Sequence, residues 1–362
     1  MANILDYLLW RDDLSLQAVP FNDVDNLILS QFTYIKPDKV LGPDDEMTVR
    51  EIAAALKDAK GVFGFIGEDN NREMLRLMGE SSRFGDLHVT FYRHETDIEL
   101  SKQFAAMTFL LPDNTAFVAY RGTDNTMVGW KEDFTMAVAC PVPAQADALK
   151  YLKDAAERFA LPLYVGGHSK GGNLAVYAAS FAGDDLQDRL LRVYSHDGPG
   201  MTDTTAKSDG YKRILPKLRC IVPEFSIIGM LLLEHPDRLV VRSDASGLMQ
   251  HDPFSWQIRG RGFVLADALS PASLRIDQLL DDWLEGVGIE ERQELVETLF
   301  NVLDENQVTT VGQLGSSLLR NTGSIMLALR HMNGATRQKV RQLAGDLMKA
   351  AVKRDGREED DA

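Results

Sequence analysis

Cysteine is scarce in this chain: Cys140 and Cys220 are the two among 362 residues, with no C-x-x-C spacing and no secretory context. A disulfide framework is therefore excluded, and both are expected to be buried thiols in a chain that folds without metals or disulfides. Positive charge is also short, with 39 Lys and Arg against 54 Asp and Glu, a net charge of −15, and no basic run of useful length. Phosphate binding depends on clustered Lys and Arg, so no nucleic-acid partner is expected and anionic membrane surfaces are disfavoured. No apolar stretch approaches the length of a transmembrane helix. The opening MANILDYLLWRDD has an apolar run too short for export and acidic residues in place of a cleavage site, so a cytoplasmic, bacterial-type chain is expected. What the chain does have is length and 44% hydrophobic residues, enough for one large α/β domain with additions or for two domains.

Its most informative stretch is Leu161 to Ala179, LPLYVGGHSKGGNLAVYAA. Leu163, Tyr164 and Val165 read as a buried strand, Asn173 to Ala179 as a helix, and Gly167-His168-Ser169-Lys170-Gly171 between them matches G-x-S-x-G. That pattern is the nucleophile elbow, in which a serine sits on a sharp strand-to-helix turn. The flanking glycines are required because a strand and a helix packed this closely leave no room for Cβ atoms. With the helix starting directly behind Ser169, its first free N–H groups and positive dipole end face any negative charge that develops there.

Around this corner the rest of the chain falls into blocks. Residues 1–82 read as a helical segment packed on the core: Ile4, Leu5, Leu8 and Leu9 recur at helical spacing, as do Val24, Leu27 and Ile28, with Asn22 or Asp23 as cap. Thr48 and Glu51 form a capping-box pair, and Asn70 to Met78 predicts a helix closed by Gly79. None of this segment suggests chemistry. Residues 83–266 form the core, opening with strands at Leu87–Tyr92, Phe104–Leu111 and Thr115–Tyr120 and a tight turn at Asp113-Asn114. His88 and His94, in or beside the first strand, lack partners at a metal-ligand spacing and read as surface or packed residues. From Asp267 the pattern is helical, with apolar periodicity over Leu274–Leu284, Ile289–Leu303, Val311–Leu319 and Ala335–Val352. Residues 267–352 thus form a helical appendage, either a solvated cap or a partner-binding or dimerisation module, and 353–362 form a charged tail.

A second site lies where Ala119-Tyr120-Arg121-Gly122-Thr123-Asp124 leaves the third strand, shortly before a helix beginning at Trp130-Lys131-Glu132-Asp133-Phe134. Acyl transfer needs two donors aimed at the oxyanion: the N–H after the nucleophile, and one from a loop after an earlier strand. Lys170 and Thr123 are the candidates. A strand ending in Arg-Gly-Thr, a Trp-x-x-Asp helix start and GGHSKGG about forty residues later together resemble the fungal-type (class 3) lipase family of α/β-hydrolases, over roughly Thr115 to Trp256. The resemblance implies an oxyanion role for Thr123 and a nucleophilic role for Ser169. NILDYLLWRDDLSL, FNDVDNLILSQFTYI and QHDPFSW are in addition similar to a bacterial lipase-like family that spans most of the chain and leaves the substrate open.

An α/β-hydrolase requires the chain order Ser, acid, His. Four histidines follow Ser169: His196, His235, His251 and His331. His331 lies in the helical tail, His235 ends the apolar segment Phe225–Leu233, and His196 stands at a strand end directly before a candidate acid. His251 is the best base, on a Ser-, Asp- and Gly-rich loop after the strand Arg238–Arg242 and locked by Asp252-Pro253 before Trp256. Class 3 lipases place the acid after the strand preceding the His strand, and the matching position, past the strand Leu218–Val222, holds Ser226. Two replacements are open, Glu224 and Asp197. Both stand at strand ends that face the crevice, and Asp197 is preferred because Gly198-Pro199-Gly200 behind it fixes a rigid turn.

The expected fold is α/β-hydrolase: a mostly parallel sheet flanked by helices, with N- and C-terminal helical additions. The expected function is a serine hydrolase cleaving acyl esters or acyl lipids through an acyl-enzyme, with no metal or organic cofactor implied and oligomeric state left open. The competing class is a catalytically inactive hydrolase-fold scaffold, for which Ser226 in place of the family Asp is the main support.

Overall fold

The computed structural model describes residues 1–300 apart from 65–66, 125, 137–139, 233–236, 287, 289, 293–296 and 298–299, together with Gln338. The chain divides into two compact units, 1–268 and 269–362.

The first unit opens with helices α1 (Ile4–Trp10) and α2 (Asp23–Phe32), a short strand β1 (Glu46–Thr48), and helices α3 (Val49–Leu56) and α4 (Glu68–Glu80). Asn22 is the cap of α2, accepting from the Val24 and Asp25 N–H groups, and Thr48 with Glu51 closes the capping box of α3. Gly79 does not end α4 as its sequence position suggests. It lies inside the helix, where a Cβ would come within 2.6 Å of the Ala53 Cβ, so it is small to let α3 and α4 approach. A buried pair ties this segment together: Arg83 binds the Asp25 carboxylate and donates to the carbonyls of Leu14 and Val19, while Tyr7 Oη donates to Asp25 Oδ1 at 2.8 Å. Both charges are paired and hydrogen-bonded, yet burial still holds the Asp25 pKa above its ordinary value.

The remaining strands are β2 (His88–Asp97), β3 (Lys102–Leu111), β4 (Thr115–Tyr120), β5 (Leu163–His168), β6 (Leu190–His196), β7 (Leu218–Pro223) and β8 (Arg238–Val241). They lie in chain order in one eight-stranded sheet. Pairings from β1 to β4 are antiparallel and those from β4 to β8 are parallel. The antiparallel turn at Asp113-Asn114 has Asn114 at φ 60°, a conformation Asn tolerates. Parallel neighbours need long crossovers. Here α5 (Met127–Thr135) and α6 (Pro143–Phe159) join β4 to β5, α7 (Lys170–Phe181) and α8 (Asp184–Arg189) join β5 to β6, and α9 (Asp203–Ala206) and α10 (Asp209–Ile214) join β6 to β7.

Every residue of β4 is buried, and alternate side chains enter different cores. Phe117 and Ala119 join the core formed with α1 to α4, with Leu27, Ile28 and Phe32 among its members. Ala116, Val118 and Tyr120 join the core formed with α6 and α7, with Leu152, Leu174 and Ala175. Helices therefore cover both faces, and the fold is that of an α/β-hydrolase.

His88 and His94 are surface residues, within 2.7 Å of Glu46 and Asp38 respectively. Both cysteines are free, but neither is buried as expected: Cys140 is exposed and Cys220 is half-buried. Of the second unit, the helix Pro271–Gly286 contains the predicted segment Leu274–Leu284, and its first turn is capped by Ser270, whose Oγ accepts from the Ser273 N–H. Apart from residues 290–292, 297, 300 and 338, the predicted helices over 289–303, 311–319 and 335–352 and the tail 353–362 lie outside the described residues.

Candidate active site

At the end of β5 the chain makes the sharp corner that its glycines anticipate. Ser169 sits at φ 57° and ψ −132°, and α7 begins at Lys170. A non-glycine residue held there stores on the order of 1–3 kcal/mol of strain, which the surroundings must over-determine. They do so by contact: a Cβ at Gly167 would lie 2.5 Å from the Tyr120 carbonyl oxygen, and one at Gly171 2.2 Å from the same atom. The Ser169 N–H donates to the His196 carbonyl at 2.9 Å, fixing the corner to β6. Ser169 makes no side-chain cap to α7, so its hydroxyl is not spent on the helix it heads.

Asp197 directly follows β6, with φ 48°, its N–H bound to the Ile221 carbonyl at 2.8 Å. The Gly198-Pro199-Gly200 turn behind it packs on the elbow: a Cβ at Gly198 would lie 2.6 Å from the Ser169 carbonyl oxygen. Asn173 of α7 donates to the Pro199 and Gly200 carbonyls, and Gln145 of α6 holds Asn173 in turn. The buried carboxylate so positioned meets His251, whose Nδ1 lies 2.6 Å from Asp197 Oδ2. Asp197 Oδ1 accepts from Ser226 Oγ, and Ser226 Oγ also receives the Gly229 N–H at 3.1 Å. Ser226, which occupies the position where the class 3 pattern has its acid, is thus a hydrogen-bond donor to the Asp197 carboxylate.

Glu224 is placed differently. Its backbone N–H pairs with the Val241 carbonyl at the end of β7, and the carboxylate partner of His251 is Asp197. His196 is buried and donates from Nε2 to Asn26 Oδ1 at 2.8 Å, and burial pushes its pKa down to about 3, so it stays a neutral packed residue. His235 and His331 lie outside the described residues.

Thr123 and Lys170 are held by consecutive carboxylates of α5. Thr123 Oγ1 donates to Asp133 Oδ2, whereas Lys170 Nζ donates to Glu132 Oε2 at 2.9 Å and to the Gln103 carbonyl at 2.9 Å. Both members of the Lys170–Glu132 pair are about 1% exposed, and Glu132 is saturated by the Gln103 and Ala144 N–H groups as well. Burial raises the Asp133 pKa to about 6, with Lys170 and the Thr123 hydrogen bond pulling the other way. Glu132 and Asp133 belong to the Trp-x-x-Asp segment, which lies inside α5 and not at a helix start, because Thr126 caps the helix and it begins at Met127.

Two further residues that no sequence motif assigns, His168 and Tyr34, meet here. His168 Nε2 lies 2.9 Å from the His251 carbonyl oxygen and His168 Nδ1 lies 3.0 Å from Tyr34 Oη. The His168 and His251 rings are 4.6 Å apart between centroids. Burial holds the His168 pKa well below the usual imidazole range. In sequence the G-H-S spelling is the one signal for His168. Tyr34 comes from the segment that shows no sign of chemistry in sequence.

Among the described residues no group of three or more His, Cys, Asp and Glu is arranged to hold a metal ion, and no helix is long and apolar enough to cross a membrane. Solved structures similar to this chain include M37 lipase, at 14% identity and TM-score 0.35 over 56% of this chain and 66% of that one. A triacylglycerol lipase from Penicillium expansum follows at 11% identity and TM-score 0.30, over 50% of this chain and 82% of that one. The Rhizomucor miehei lipase propeptide complex shares 13% identity at TM-score 0.32, over 68% of this chain and 82% of that one. No curated protein matches. The sequence model of one family covers residues 78–301, more than half of the chain, and on that match the chain belongs to the Mbeg1-like family.

Proposed function

We propose that the chain is a serine hydrolase of carboxylic esters, acting on acyl lipids or small acyl esters. The observation that carries this reading is the buried Asp197 carboxylate 2.6 Å from His251 Nδ1, on the turn that packs against a strained Ser169 at the head of α7. In the proposed reaction the Ser169 Oγ attacks the ester carbonyl carbon and its proton passes to His251 Nε2. Asp197 accepts the Nδ1–H, which sets the tautomer and stabilises the imidazolium. The N–H groups of Lys170 and Thr123 bind the oxyanion. Collapse expels the alcohol, which takes the proton from Nε2, and leaves an acyl-serine. Water, deprotonated by the same imidazole, then releases the acid and restores Ser169.

In sequence, Ser226 argues for an inactive scaffold. A hydroxyl that donates to the Asp197 carboxylate instead supports a place for Ser226 beside the proposed acid. The test is labelling of the folded protein by a fluorophosphonate, expected at Ser169 alone and abolished with p-nitrophenyl ester hydrolysis in Ser169→Ala. Absence of labelling across several probes would favour the scaffold.

A further inference from the structure

We propose that His168, the residue before the nucleophile, is a positioning residue for the general base: it holds the backbone of His251 from the elbow itself. This rests on the reading of Ser169 and His251 as nucleophile and base. A carbonyl oxygen can only accept, so the 2.9 Å contact between His168 Nε2 and the His251 oxygen places the proton on Nε2. His168 Nδ1 is then an acceptor, and the Tyr34 hydroxyl at 3.0 Å is its donor. Each partner thus enforces the same tautomer, and burial keeps the ring neutral, as that arrangement requires.

The grip matters because the base stands on weak ground. Gly247–His251 is a single 3-10 turn with no buried residue, and Leu248 and Met249 on it are 63% and 66% exposed. Among the described residues its other ties are on earlier positions of the turn, where Trp256 Nε1 donates to the Gln250 carbonyl at 2.8 Å, the Phe225 N–H to Gln250 Oε1 at 2.9 Å and the Asp252 N–H to the Met249 carbonyl at 3.2 Å. Asp197 orients the His251 ring, but a ring can keep that bond while its backbone shifts. The tie from His168 removes this freedom, and since His168 is bonded to Ser169 it fixes the base relative to the nucleophile. A displacement of about 1 Å between reacting groups costs on the order of a hundredfold in rate.

Replacement chemistry separates this role from packing. His168→Phe keeps the ring and loses both hydrogen bonds. His168→Gln places an amide N–H about where Nε2–H was and keeps the donation to His251. Expected for His168→Phe is a fall in kcat of tenfold to a hundredfold with KM within about twofold, and His168→Gln should recover most of the loss. Tyr34→Phe, a smaller change, should lower kcat a few fold. A second readout needs no turnover: the proton between His251 Nδ1 and Asp197 should give a strongly downfield NMR signal in wild type and His168→Gln, broadened or lost in His168→Phe.

An unchanged kcat and an unchanged signal in folded His168→Phe overturn the proposal, as does a His168→Gln no better than Phe. If His168→Phe does not fold, Tyr34→Phe and His168→Gln decide, since a packing role predicts that Gln is the more damaging of the two. If wild type hydrolyses no ester, the proposed activity fails, and the downfield signal still decides whether His168 positions His251.

Discussion

His251 and Asp197 stand 54 positions apart on loops that follow different strands, and their side chains meet at 2.6 Å. In β6 and β8 the parallel sheet brings both strand ends to one edge, and the Gly-Pro-Gly turn then aims the carboxylate. Changing the acid to its amide keeps the shape but favours the wrong imidazole tautomer, at a cost of about 10⁴ in turnover. Asp197→Asn is therefore expected to lose several orders of magnitude in kcat, with Glu224→Gln within a few fold, both folded by circular dichroism. The reverse outcome would make Glu224 the acid.

Ser226 supplies a second test of the same carboxylate. It donates to Asp197 Oδ1, and a hydrogen bond to a charged group contributes about 1.5–3 kcal/mol. Only the part that differs between ground and transition states affects rate, so Ser226→Ala should lower kcat by roughly tenfold. Ser226→Asp restores the class 3 residue in the wrong company. Two carboxylates in contact cannot both ionise readily, so the acid limb of its pH–rate profile should move upward and activity at neutral pH should fall below that of Ser226→Ala. A Ser226→Asp enzyme as active as wild type would mean that the acid can be supplied from either strand end.

The elbow and the strand before the Arg-Gly-Thr segment are legible in the sequence because they rest on local rules: glycines where no Cβ fits, the apolar run of β4, and caps at Asn22 and Thr48. Asp197 is legible only as one of two carboxylates, since its choice over Glu224 depends on how the Gly-Pro-Gly turn packs on Ser169. The supporting groups are not legible at all. Tyr34 reaches His168 across 134 positions and Asn26 reaches His196 across 170, and no periodicity encodes such meetings. Gly79 misleads for a related reason: a small residue that serves helix contact looks the same in sequence as one that ends a helix.

Asp133 ties the site to stability. Its pKa rises from 3.8 to about 6 because burial disfavours the charged form. The native state therefore holds a proton that the unfolded chain has released between about pH 4 and 6, so this group's contribution to stability falls as pH rises through that window and levels off above it. At about 1.4 kcal/mol per pH unit the loss amounts to roughly 3 kcal/mol. Asp133→Asn should remove that dependence and raise the melting temperature at pH 7, while lowering kcat because Thr123 loses a charged acceptor. A melting temperature that falls at pH 7 would mean that the ionised carboxylate is better paired with Lys170 than its burial implies.

Apolar residues near Asp197 and on the turn of His251 form two groups that mutation can tell apart. Met230 is 2% exposed, lies 3.0 Å by its sulfur from Arg238 Nη1, and adjoins Gly229, where a Cβ would come within 2.5 Å of Asp197 Oδ1. A carboxylate placed there lies within reach of Arg238 but in a packed site beside the Asp197 carboxylate, whose repulsion it would meet, so Met230→Glu should lower the melting temperature and reduce hydrolysis of acetate and long-chain esters alike. Leu248 and Met249 are exposed on the turn that carries His251, where apolar surface has no packing duty. If an acyl chain passes over that turn, Leu248→Asp and Met249→Asp should leave the melting temperature within a degree or so, as surface changes usually do. Their activity should then fall severalfold on long-chain esters and stay near wild type on acetates, since each buried methylene contributes about 0.8 kcal/mol. Equal activity across chain lengths in both variants would place the acyl path elsewhere.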